Sequence, residues 1–140
     1  MDTSIQAREL ARQVIERHEG YTRFPKPDAH NTLEVGYGLN LNRRGLYRDE
    51  ADWLVIQEVT RLYGWLSSFD WFSPMSVNRQ AALIDMAYDL GEDGIEEFAR
   101  MMAWLDSRDY ASAADEMLNS KWAIEVGQRA ADDARLMRDG

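Results

Sequence analysis

Three carboxylates, Glu19, Asp28 and Glu34, fall in one short stretch, nine and then six residues apart. Hydrolysis of a glycosidic bond needs an acid to protonate the leaving oxygen. It also needs a carboxylate or a held water on the opposite face of the sugar. Carboxylates carried by different elements and turned toward one cleft meet that need. The chain has 25 acidic residues among 140, so a solvated surface beside a loop would carry the same three. Spacing alone leaves both readings open. His30 lies between Asp28 and Glu34, but a lone loop histidine in a chain with no cysteine offers no ligand set. It is read as incidental, and no metal or cofactor is expected.

The elements that must position these groups follow from periodicity. Ala7, Leu10, Ala11, Val14, Ile15 and His18 make one stripe at helical period, with Thr3 and Gln6 spaced as a capping box and Gly20 as the stop. Glu19 therefore stands on the last turn of a helix. Residues 21–42 lose the helical period and read as a loop around Pro25 to His30, then a strand from about Thr32 to Gly38. From Asp49 onward the pattern is helical again. The stripes are Val55, Val59, Leu62, Tyr63 and Leu66; Ala82, Leu83, Met86, Ala87 and Leu90; and Ile95, Phe98, Met102 and Leu105. Tyr110, Ala114, Met117 and Leu118 form a fourth, and Ala130, Ala131, Ala134 and Met137 a weaker last one, with Gly91 and Gly94 punctuating the middle. The five tryptophans fall mostly at core positions of these helices. The expected class is α+β: a helix over about 1–20, a β-lobe over about 21–45 and a helical lobe over about 46–140. The whole is expected to form one domain, with a cleft between the lobes as the natural ligand site.

Composition narrows the partners. A 45% hydrophobic content with few prolines and glycines supports a packed core. The net charge of −9 argues against DNA or RNA, whose binding rests on a basic footprint. The opening Met1-Asp2-Thr3-Ser4 lacks the basic and apolar runs of a secretion leader. No apolar stretch approaches the ~20 residues needed to span a bilayer.

Glu19-Gly20, Asp28, Val35-Gly36-Tyr37-Gly38-Leu39-Asn40-Leu41 and Arg44-Gly45 resemble the opening of the phage-type lysozymes, the small endolysins of tailed phages. That family carries Glu-Gly, an Asp nine residues after the Glu, and Thr-Ile-Gly-Tyr-Gly with its Thr six residues after the Asp. Arg79 through Tyr88, then Leu90-Gly91, Gly94 and Phe98, is similar to the family's central buried helix. Tyr110 through Trp122 resembles the penultimate helix, and Arg129-Ala130 follows Trp122 at the family's interval of seven.

The resemblance implies a lysozyme-like fold and a muramidase. Such an enzyme cuts the β-1,4 bond between N-acetylmuramic acid and N-acetylglucosamine in bacterial peptidoglycan and lyses the host wall. Glu19 would be the general acid. Asp28 would be the second carboxylate, stabilising charge on the sugar and orienting the attacking water. Arg129 would reach back to fix the rotamer of Glu19, with Tyr37, Gly38 and Asp89 binding or supporting the substrate. A monomer is implied, held in the host cytoplasm until a holin releases it to the wall.

Two positions depart from the family pattern. Glu34 stands where the family has the Thr that holds the nucleophilic water, and Asp89 stands where Asn or Gln is usual. An ionised Asp accepts hydrogen bonds but cannot donate, so one sugar contact must change. Glu34 touches the mechanism itself, and is expected to act as a base on the water or as a nucleophile. Both departures also fit an alternative of another class, a lysozyme-fold protein that binds peptidoglycan or serves a structural role without turning it over.

Overall fold

The computed structural model describes residues 2–140; Met1, the first residue of the stretch read for a leader, lies outside them. The chain divides into two compact units, the first running to Asp52 and the second spanning Trp53–Gly140. In order, the described elements are α1 (Thr3–Glu19), β1 (Thr22–Pro27), β2 (Leu33–Gly36), β3 (Leu39–Asn40), α2 (Arg48–Leu66), α3 (Val77–Glu96), α4 (Ala99–Asp106), α5 (Tyr110–Leu118), α6 (Lys121–Val126) and α7 (Gln128–Asp139). A mostly helical chain with one small antiparallel sheet is the expected α+β class.

In the first unit, α1 starts one residue earlier than the capping-box reading places it. Asp2, not Thr3, is the N-cap, and its carboxylate accepts from the Ser4 N–H. Gly20 ends the helix as expected, with φ 69° and its N–H bonded to the Glu16 carbonyl. The apolar stripe of α1 is real but no residue on it is buried, and Leu10 and Ile15 are exposed.

The sheet has the order β1-β2-β3, all antiparallel. The segment around Pro25, read from sequence as a loop, belongs to β1. Two prolines are tolerated there because β1 is an edge strand, which needs donors on one side only. Its register against β2 is irregular between Thr22 and Lys26. The expected single strand to Gly38 is instead a hairpin, β2 turning at Tyr37-Gly38 into β3.

In the second unit the helical stripes meet in one core. Leu62, Leu66, Ala82, Leu83, Met86, Ala87, Ile95, Leu105, Ala114, Met117, Ala130, Ala134 and Met137 are buried as their periodicity predicts. Others on the stripes stay at the surface: Val55, Val59, Tyr63 and Leu118 are exposed. Gly91, at φ 77° and ψ 170°, breaks the α3 segment where punctuation was expected. Of the five tryptophans only Trp122 is buried. Trp53 and Trp104 are exposed, so the core assignment of the tryptophans fails for them. Arg79 ties the bundle together. Its guanidinium donates to the Met137 and Arg138 carbonyls at the end of α7 and sits 4.0 Å from the centroid of the Tyr110 ring.

Candidate active site

The first unit brings α1 and the hairpin together at one point. The Glu19 carboxylate lies against Gly38, where a β-carbon would overlap it. Gly38 has φ 73°, a backbone conformation that favours glycine, so one residue serves both the turn and the close approach. Tyr37 beside it packs on Tyr21, ring centroids 5.8 Å apart.

Asp28 sits at the end of β1 in a shell of donors. It accepts from the His30 N–H at 2.8 Å, the Thr32 N–H at 3.0 Å, the Thr32 hydroxyl at 2.7 Å and the Asn40 amide at 3.1 Å. Hydrogen bonds to the charged form favour it. Led by the Thr32 hydroxyl, the donors from Thr32 and His30 hold Asp28 down to a pKa of about 2. Asp28 is thus a fixed anion near neutral pH. His30 contributes its backbone N–H to this shell.

Glu34 pairs across the sheet with Lys26 on one side and Asn40 on the other, and cross-strand partners share a face. The carboxylate of Glu34 is 3.8 Å from the Lys26 ammonium. The Asn40 opposite it donates to both Asp28 and Thr32. Glu34 is thus the strand neighbour of the residue that donates to Asp28.

In the second unit Arg129 is held by Asp85. Arg129 Nε and Nη2 donate to the two Asp85 carboxylate oxygens, each at 2.9 Å, and Nη1 lies 3.3 Å from Asp89. Bidentate pairing fixes the plane of the guanidinium as well as its place. The pair holds Asp85 below the usual carboxylate range and raises Arg129. The guanidinium and Asp85 form the polar end of a groove of about 430 Å³ whose walls include Val55, Val59, Ile84 and Tyr88. Asp89 also accepts the Trp122 indole N–H at 2.8 Å. Trp122 in turn lines a hollow of about 450 Å³ with Leu90, Phe98, Arg100 and Lys121.

Asp85, Thr32 and Asn40 escaped the sequence reading, as did Asp133 on α7, which is buried. Asp85 is half-exposed at the edge of the α3 stripe, and Asp133 is buried on the α7 stripe, where the same periodicity that marks the core marks it as a charged exception. Thr32 and Asn40 fall within the strand and the motif read from the sequence, but nothing there ties them to Asp28. Among the described residues, no cluster of three or more His, Asp or Glu is placed to hold a metal ion, and no helix is long and apolar enough to cross a membrane.

The phage lysozyme family matches the chain over residues 16–135, a stretch that contains all seven expected site residues. The chain belongs to that family. It is a lysozyme-type peptidoglycan hydrolase, an enzyme of the glycoside hydrolase class acting on the bacterial cell wall. None of the curated proteins compared with the chain matches it.

Proposed function

We propose that the chain is a muramidase that cleaves the β-1,4 bond between N-acetylmuramic acid and N-acetylglucosamine and so lyses the host from within. The observation that carries this reading is that one unit holds both a helix-end acid seated on Gly38 and an anion held by Thr32 and Asn40. Glu19 gives its proton to the leaving oxygen as the bond from that oxygen to the anomeric carbon breaks. The ionised Asp28 offsets the positive charge that develops on the sugar ring. Arg129 supports Glu19, and Asp89, Tyr37 and Gly38 support the substrate. The protein acts as a single-domain monomer, waits in the host cytoplasm and reaches the wall once a holin opens the membrane.

Glu34 takes part in the second half of the reaction. As a general base it removes a proton from the water that attacks the anomeric carbon, which inverts the centre and suits carboxyl groups ~6.5–9.5 Å apart. As a nucleophile it forms a glycosyl ester that water then cleaves, which retains the configuration and suits ~5–5.5 Å. The Lys26 ammonium, 3.8 Å from the Glu34 carboxylate, is the cation nearest to it in the sheet.

The test is digestion of purified sacculi with analysis of the new chain ends. The reading expects reducing-end N-acetylmuramic acid, and a first-formed anomer that changes or slows in Glu34→Gln and Glu34→Thr. New ends at N-acetylglucosamine refute the bond assignment, and unaltered rate and anomer in both variants make Glu34 a bystander. Tight binding to sacculi with no new ends at all favours the non-catalytic alternative, for which Glu34, Asp89 and the acidic surface speak.

A further inference from the structure

Asp133 is the buried charged residue of the second unit's core. It is 4% exposed, and its Oδ2 is fully enclosed with no hydrogen-bond partner. Helical period places it on the stripe of Ala130, Ala134 and Met137, so α7 carries it inward with its apolar neighbours. The group it meets there is the carboxylate of Asp85. Asp133 is enclosed and Asp85 half-exposed at the groove; with one of two touching carboxylates cut off from water, the pair favours sharing a proton, held by one and donated to the other.

The charge count says which one. Arg129 supplies one positive charge, and it is already gripped at both oxygens of Asp85 and approached by Asp89. From α3 the ionisable group facing Asp133 is Asp85, and from α7 itself they are Arg129 and Asp132. On α5, which packs on α7, the buried residues are Ala113, Ala114 and Met117, and the nearby Asp115 is paired with Arg138. α6 also packs on α7, but its Lys121 stands beside Glu125, and among the described residues Arg129 is the cation that acts on Asp133.

We propose that Asp133 is a positioning residue for Arg129, a neutral carboxyl that donates to Asp85 and leaves Asp85 as the one anion gripping the guanidinium. The inference rests on the reading of Arg129 as part of the active site. With its proton in place, Asp133 fixes the Asp85 rotamer from behind while Arg129 binds it from in front. Loss of that proton sets a buried negative charge against Asp85 and loosens the grip. Burial, with Asp85 beside it, pushes Asp133 up to about 8. The sign follows from a folded pKa raised above the unfolded value. Stability is fully present below the ordinary carboxyl range and declines as pH rises through about 8.

The experiment follows three readouts in wild type, Asp133→Asn and Asp133→Leu: the Asp133 carboxyl carbon by NMR (wild type), the Arg129 Nε–H resonance, and the pH profile of reducing-end release. The proposal expects Asp133 to titrate well above the usual carboxylate range, and the wild-type Arg129 signal to weaken between pH 7 and 9. Asp133→Leu, which lacks the donor, should lose the Arg129 signal at neutral pH and about tenfold in kcat. Asp133→Asn, which keeps a donor and cannot ionise, should recover at least fivefold of that loss and hold the Arg129 signal through pH 9. Titration of Asp133 near 4, or an Arg129 signal and pH profile shared by the Asn and Leu variants, overturns the proposal. Should the Leu variant not fold, the wild-type and Asn pH series decide alone. Should the wild type release no reducing ends, the proposed function fails, while the Arg129 resonance still decides this inference.

Discussion

The Glu19 carboxylate rests on Gly38, and a side chain at that glycine would stand where the carboxylate is. The contact joins the last residue of α1 to the turn of the hairpin, two elements separated in sequence by the whole of β1 and β2. Gly38→Ala therefore displaces Glu19 as well as straining a backbone at φ 73°. Gly36, at φ 70° with open space around it, is the control that carries the strain without the overlap. Strain of this kind costs about 1–2 kcal/mol in either variant. Gly38→Ala is expected to lower kcat at least tenfold more than Gly36→Ala at similar loss of melting temperature, as read by sacculus digestion and calorimetry.

Asp28 owes its lowered pKa first to the Thr32 hydroxyl. A folded pKa depressed to about 2 gives stability that is present above the ordinary Asp value and is lost as pH falls through about 2. Thr32→Val removes the hydroxyl and keeps the shape. Its Asp28 should titrate closer to the ordinary value, and the acid limbs of both activity and melting temperature should move to higher pH. Carbon NMR of Asp28 between pH 1.5 and 5 checks this directly, and an unmoved titration contradicts it.

Asp89 was expected to touch substrate, and within its own unit it anchors Trp122 and approaches Arg129. Asp89→Ala leaves the indole N–H of a buried tryptophan without an acceptor, a cost of about 1–3 kcal/mol. For a chain of this size each kcal/mol lowers the melting temperature by roughly 2–4 °C. Asp89→Asn keeps an acceptor and should recover most of the loss. Thermal melts and Trp122-dominated changes in fluorescence report both.

Much of this was legible in the chain, for a physical reason. Helices that bury one face must repeat their apolar residues, and α3 does so through Ala82, Leu83, Met86 and Ala87, all buried. Glu19 could be set at a helix end because the α1 stripe stops at His18 and Gly20 follows. β1 was hidden because Pro25 and Pro27 are turn signals everywhere except at a sheet edge, and edge position is a property of the assembled sheet. The Asp28 shell was hidden for a related reason. Thr32 and Asn40 reach Asp28 only because the chain turns back twice, at Asn31 and at Gly38. Asp133 was visible in principle. It occupies a core position of α7 by the same period that identifies Ala130 and Ala134, although a charged side chain at such a position is usually exposed.

The central claim is that Glu19 supplies the proton for glycosidic cleavage, and Glu19→Gln tests it most directly. Glutamine keeps the size and hydrogen-bonding reach of the side chain but has no acid proton to give. The measurement is the initial rate of reducing-end release from purified sacculi by wild type and Glu19→Gln, with matched circular dichroism and melting curves to confirm an intact fold. General acid catalysis contributes about 10²–10⁴-fold. The account predicts a loss of at least that order in a variant that melts like the wild type. A folded Glu19→Gln protein that releases reducing ends at the wild-type rate would contradict it.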